Sequence, residues 1–236
     1  MGEGIGTDEL IMPYISSANI ACGGHAGDES MMQKTILLAK RHEVAIGAHP
    51  SYPDRINFGR IEMHLSEGEI YEEVYQQIQV IKNIASAHEV KLHHVKPHGA
   101  LYNTAAKNES VSNAIVHAIL NIDPTLKVYG LPLSIFETVC LKNKLQFVGE
   151  GFADRTYTDE GSLTPRTSAG AMITDPATSI DQVINLALKQ EVKTSSGKWI
   201  KMPVKTICIH GDGEHAVLFA KSIHEALKQH NLLKIL

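Results

Sequence analysis

The chain has 236 residues, 43% hydrophobic and 20% charged, with a formal net charge of −4. That length holds one substantial domain or two small ones, and that balance excludes disordered, collagen-like and coiled-coil chains. No stretch concentrates Lys and Arg as a phosphate backbone would require, so nucleic acid is not an expected partner.

No apolar run approaches the roughly 18 residues of a membrane-spanning helix. The start, MGEGIGTDEL, carries neither the basic nor the apolar segment of a secretory leader. The expectation is no membrane association and a cytoplasmic location. Cys22, Cys140 and Cys208 are odd in number, far apart and set among apolar residues, so they read as buried, reduced thiols. Thirteen histidines, several grouped with Gly, Pro and Asp, point to a site.

Short apolar runs alternate with longer amphipathic ones, the pattern of repeated β-α units around a parallel sheet. Strands are predicted near 15–22, 44–48, 91–96, 126–130, 145–149 and 203–209. Helices are predicted near 29–43, 66–88, 108–121, 133–143, 177–190 and 213–231. The stretch 192–201 reads as a β-hairpin excursion. No linker divides the chain, so it is taken as one domain.

Polar residues of catalytic type follow five of these strands: NIACGGHAGD, AIGAHPSYPD, HHVKPHGALYN, EGFADRTY and ICIHGDGEH. Parallel α/β folds build their sites just past the carboxyl ends of strands. Five such loops converging favour a distorted (β/α) barrel over an open doubly wound sheet.

Within HHVKPH, the period of two puts His94, Lys96 and His98 on one side and His93 on the other, helix-packed side. Such an inward row binds anions or moves protons. Lys96→Ala is expected to abolish turnover with thermal stability intact, and His93 to tolerate substitution. His25 and Asp28 precede a helix that Asp28 is placed to cap. The strand period turns His49 inward, and His210 and Asp212 close the set. The irregular stretch 151–176 carries Asp154, Arg155 and Arg166. The two arginines are natural anchors for a carboxylate or phosphate, and a surface pair of Asp154 with Arg155 is the bland alternative. A metal held by three of these His and Asp side chains stays open, because no HExxH or CxxC spacing decides it.

In this order, SANIACGGHAGD, VAIGAHPSYPD, FGR, HVKPHGALYN, FADRTY, LTPR and ICIHGD resemble the LamB/YcsF family, the A subunits of ATP-dependent 5-oxoprolinase. The resemblance implies a distorted TIM-like β/α barrel of the glycoside hydrolase and deacetylase type. It implies opening of the lactam of 5-oxo-L-proline to L-glutamate, with ATP as co-substrate, Mg accompanying ATP, and 5-oxoprolinase B and C subunits as partners. On that basis His25, His49, His94, Lys96, His98, Asp154, His210 and Asp212 are the expected catalytic set. Asn19, Asp28, Asn103, Arg155 and Arg166 are the expected substrate-binding set. No loop here has the form of a nucleotide cradle. The competing readings are a metal-dependent deacetylase or amidohydrolase acting without ATP, and a binding or scaffold subunit. The family opens with a strand ending in an LNCDMGE-like block, whereas this chain opens at MGEG. One β/α-barrel domain over 1–236 is therefore expected to lack its first strand, leaving an exposed strand edge and His25, His49 or Lys96 short of a counter-charge.

Overall fold

The computed structural model describes residues 1–213 and 215–233. A one-turn helix α1 (Asp8–Ile11) and a 3-10 turn over Met12–Tyr14 lead into β1 (Ser17–Ala21). Four β-α repeats follow: α2 (Glu29–Arg41) and β2 (Ala45–His49), then α3 (Glu67–Ala87) and β3 (Leu92–Val95). Next come α4 (Gly99–Ala105), α5 (Glu109–Ile122), β4 (Lys127–Gly130), α6 (Ile135–Lys142) and β5 (Phe147–Phe152). The chain ends with α7 (Pro176–Lys189), the antiparallel hairpin β6 (Glu191–Lys193) and β7 (Trp199–Lys201), β8 (Thr206–Cys208) and α8 (Ala216–Gln229).

The main sheet runs β1-β2-β3-β4-β5-β8, parallel throughout, and curls into part of a barrel with the helices outside. Among the described residues β1 and β8 each pair on one side only. Ser17 and Ala18 of β1 and Thr206 and Ile207 of β8 line a cavity of about 1100 Å³ that extends between them. No described helix is long and apolar enough to cross a membrane.

The helices form where apolar residues recur every three or four positions. α3 buries Ile70, Val74, Ile78, Ile81 and Ala85 against the core that α5 enters with Val111, Ile115 and Ile119. Side-chain caps fix the starts: Asp28 accepts from the Met31 N–H, Asn108 from Val111, Ser134 from Glu137 and Asp175 from Thr178. At α3, Ser66 and Glu69 close a reciprocal capping box.

The six predicted strands and six predicted helices are all present, within a few residues at their ends. α4 is an addition, since HGALYN reads as loop in the sequence. Its N-cap is His98, which makes no side-chain cap, so the usual start signal is absent.

Candidate functional site

The site occupies the carboxyl ends of the strands, where the chain leaves the sheet six times. Its first layer lies deep in the curl. Gly47 on β2 leaves room for the His94 ring, which a Cβ there would overlap. His94 stacks on Tyr129 with centroids 4.1 Å apart. The Lys127 ammonium donates to His93 Nε2 at 2.8 Å, His93 Nδ1 approaches His94 Nδ1 at 3.1 Å, and His94 Nε2 meets Asn19 Oδ1 at 2.9 Å. This run connects β4, β3 and β1. His93 is thus tied into the same run as His94, not merely packed beneath helices. His94 does not line the cavity, whereas Asn19 does.

Above this layer Lys96 is buried, and its Nζ donates to Glu150 Oε1 at 2.7 Å and to Cys208 Sγ at 3.0 Å. The ammonium also lies 5.0 Å from the Phe152 ring centroid. Burial opposes the charge of Lys96, whereas the Cys208 sulfur and the Glu150 carboxylate favour it, and the net direction is upward. Burial also pushes the Cys208 thiol up to about 12, so it is neutral near pH 7 and Glu150 is the effective counter-charge. Removing Lys96 alone strands a buried carboxylate, which corrects the expectation that Lys96→Ala leaves stability intact.

Three imidazoles form the next cluster. His49 ends β2, His98 follows Pro97, and His25 lies in the loop after β1. His25 stacks on His98 with centroids 3.7 Å apart and planes 4° from parallel, and His49 stands edge-on to both. His49 Nδ1 meets the Lys96 carbonyl oxygen at 2.7 Å, His98 Nε2 meets the Phe58 carbonyl oxygen at 2.9 Å, and the other nitrogens face each other at 3.0 Å. Burial holds both His49 and His98 well below the ordinary histidine range. The 50–66 loop closes this cluster. Phe58 adopts a left-handed backbone, with φ 56°, and packs edge-on against His25 and His98, while Arg55 donates to the carbonyls of Gly23 and Gly27.

Glu3 reaches His25, with Oε1 3.2 Å from Nε2, from a segment whose Met1 main chain bonds Asn19 and Ala21 beside β1. Two acids therefore serve the groups expected to be short of one: Glu3 for His25 and Glu150 for Lys96. For those two the expectation is corrected, whereas His49 meets a carbonyl oxygen and another imidazole.

At the rim, His210 Nδ1 lies 2.9 Å from both Asp154 carboxylate oxygens, and the His210 N–H donates to the same side chain at 3.3 Å. Burial raises the Asp154 pKa, but the adjacent His210 outweighs it and the net shift is downward. Asp154 is thus no surface partner of Arg155. Arg155 is itself buried, donating to the carbonyls of Thr164 at 2.5 Å and Ala171 at 3.3 Å. Arg166 is exposed and Arg60 pairs with Asp212, and all three line the cavity. Asn103 lines it from α4, with Nδ2 on the Gly99 carbonyl. Asp28 is exposed at its helix cap and does not line the cavity.

The cavity therefore brings together Asn19, His49, Lys96, His98, Asn103, Arg155, Arg166, His210 and Asp212. Sequence reasoning missed Glu3, Arg60 and Glu150. The signal for Glu150 was a charged residue inside an apolar strand run, in FVGEGF. Glu3 and Arg60 carry no such strand pattern; their signal lay in the resemblance, Glu3 in the MGEG set beside the LNCDMGE-like block and Arg60 in FGR.

The model of the LamB/YcsF family matches residues 1–234. A protein from Bacillus cytotoxicus, named as the A subunit of 5-oxoprolinase, is 46% identical over 233 residues, covering 97% of this chain and 92% of its own. A protein of the same name from Shouchella clausii is 48% identical over 228 residues, covering 97% and 90%. The crystal structure of a lactam utilization protein from Thermus thermophilus superposes with a TM-score of 0.90 at 39% identity, covering 96% of this chain and 90% of that one. A putative cellobiose-phosphate cleavage protein from Enterococcus faecalis shares the fold, with a TM-score of 0.56 at 11% identity.

Proposed function

The chain belongs to the LamB/YcsF family, and from that premise we propose that it is a 5-oxoprolinase A subunit that opens the lactam of 5-oxo-L-proline to L-glutamate with cleavage of ATP. The observation that carries this reading is an acid–base dyad, in which buried Asp154 orients His210, with His210 and guanidinium groups on one cavity.

The substrate presents one carboxylate and one cyclic amide. Arg166 and Arg60, at the cavity wall, suit the carboxylate through charge-assisted hydrogen bonds. Asp154 accepts the Nδ1 proton of His210, which leaves Nε2 free to take a proton from water and return it to the departing amine. The buried Lys96 ammonium favours negative charge growing on the lactam oxygen.

An unactivated amide is a poor electrophile, and ATP supplies the activation. Transfer of the γ-phosphoryl group to the lactam oxygen releases ADP. Water then adds at that carbon, the ring C–N bond breaks to give an acyl phosphate, and a second water releases phosphate and L-glutamate. With no phosphate-cradling loop in this chain, ATP and its Mg are assigned to the assembly with the B and C subunits. Three uncrosslinked buried cysteines agree with a reducing cytoplasm.

The test measures glutamate and ADP released from 5-oxoproline, with and without the partner subunits. Coupled release only from the complete assembly with ATP is the expected result. Lactam opening by the isolated chain without ATP would overturn the reading in favour of a stand-alone amidohydrolase.

A further inference from the structure

Around β3 most ring protons can be assigned from their partners, and the assignment succeeds in one layer and fails in the next. In the deep layer every member has a role. The Lys127 ammonium can only donate, so His93 Nε2 accepts, His93 Nδ1–H donates to His94 Nδ1, and His94 Nε2–H donates to Asn19 Oδ1.

The layer above does not close in this way. His49 Nδ1 faces a carbonyl oxygen, which can only accept, so its proton sits there. His98 Nε2 faces a second carbonyl oxygen, which fixes the proton of that ring as well. Two lone pairs, on His49 Nε2 and His98 Nδ1, are therefore left pointing at each other across 3.0 Å. Both rings are buried. A pair of acceptors held this close needs a cation between or beside them.

We propose that His49 Nε2, His98 Nδ1 and the Glu3 carboxylate bind one divalent cation of the imidazole-preferring class, Zn²⁺ or a neighbouring first-row transition ion, and not Mg²⁺. Ligand atoms of these three side chains lie within 4.8 Å of one another. Two imidazole nitrogens bound at about 2.1 Å, and 90 to 109° apart at the metal, stand roughly 3.0 to 3.4 Å from each other, which matches the spacing here. The surroundings are those of ligands. Each ring gives its other N–H to a backbone carbonyl, and Glu3 accepts from His25 Nε2–H, which orients the carboxylate. His25 is 2% exposed and its Nδ1 has no partner among the described residues, a further unmet polar demand in the same cluster. All three proposed ligands line the cavity, so the remaining coordination positions open toward whatever enters it. Nitrogen donors select against Mg²⁺, which demands oxygen ligands. The inference stands apart from lactam opening and is tested without it.

The chain is dialysed against chelator and titrated separately with Zn²⁺ and Mg²⁺ by calorimetry, with bound metal counted by mass spectrometry. One equivalent of Zn²⁺ and no Mg²⁺ is expected. Glu3→Gln, which removes charge and little else, should weaken Zn²⁺ roughly tenfold or more, as should His98→Asn, while His117→Ala on the exposed face of α5 leaves it unchanged. Zn²⁺ should also raise the Tm of the parent more than that of Glu3→Gln, and circular dichroism on the same samples reports the fold. Absence of Zn²⁺ uptake by the folded parent overturns the proposal, as does uptake equal in the parent and Glu3→Gln. Nitrogen-15 spectra of the metal-free rings give an independent reading: a proton shared by His49 and His98 that Zn²⁺ does not displace also overturns it.

Discussion

Replacing Lys96 with Met keeps most of the side-chain volume and removes the charge. Glu150 is 2% exposed, and among the described residues Lys96 is its one ion-pair partner, so loss of the ammonium at Oε1 leaves the carboxylate buried without its counter-charge. Breaking a buried pair from one side costs about 3–5 kcal/mol. That is a large share of the roughly 5–15 kcal/mol by which a domain is stable. At about 2–4 °C per kcal/mol for a chain of this size, Tm should fall by some 6–20 °C. The double variant Lys96→Met/Glu150→Leu should recover most of the loss, because an apolar pair of similar volume often matches a buried ion pair. Guanidinium unfolding followed by far-ultraviolet circular dichroism, on the parent, both single variants and the double, gives the coupling energy directly. A single Lys96→Met variant within about 1 kcal/mol of the parent refutes the pairing argument, as does a double variant no more stable than that single.

Asp154→Asn removes the charge and turns one of the two accepting oxygens into an N–H donor, so the His210 tautomer is no longer fixed, and turnover of the assembled enzyme should fall by roughly 10²–10⁴-fold with fold retained, read by glutamate release. The folded-state pKa of Asp154 lies below its ordinary 3.8, so its contribution to stability is present above that value and lost as pH falls through the lower one. Unfolding curves recorded from pH 5 down to 3 should therefore decline less steeply for Asp154→Asn than for the parent. Tyr157→Phe leaves the buried Phe152 N–H without the phenolic oxygen it reaches at 2.8 Å, and denaturant unfolding should register a loss of about 1–3 kcal/mol. Gly47→Ala should disturb the His94 ring that its Cβ overlaps, with about 1–3 kcal/mol lost in thermal melts and a changed His94 ring signal in NMR.

The architecture was legible because its signals are local. Alternating apolar runs and helical periods such as Ile70, Val74, Ile78 and Ile81 are properties of neighbouring residues, and so are the caps at Asp28 and Ser66. α4 escaped because His98 at its start offers no cap and Pro97 reads only as the end of a strand. The site was legible in part for the same reason: His49, Lys96 and His210 follow predicted strands, and strand ends are where such folds place their chemistry. The partners were not legible, because pairing is a property of space. Glu3 meets His25 from another loop, Glu150 meets Lys96 across 54 positions, and Arg60 meets Asp212 across 152. The alternation that grouped His94 with Lys96 and His98 gives a common side but no depth: Lys96 and His98 line the cavity, whereas His94 lies beneath it against Asn19 and Tyr129.

The late position of β8 has a consequence for how the molecule forms. β8 docks on β5 after an excursion through α7 and the hairpin β6–β7, and it brings Cys208 to Lys96 across 112 positions and sets His210 beside Asp154 across 56. Contacts so distant in sequence require costly loop closure before they return any stabilisation, which makes such topologies slow to complete. The first five strands can associate while the chain is still emerging, yet the Asp154–His210 dyad cannot exist until the last strand arrives. The dyad therefore forms only once β8 has been made and has docked on β5, and a nascent chain halted before residue 206 carries Asp154 without its histidine.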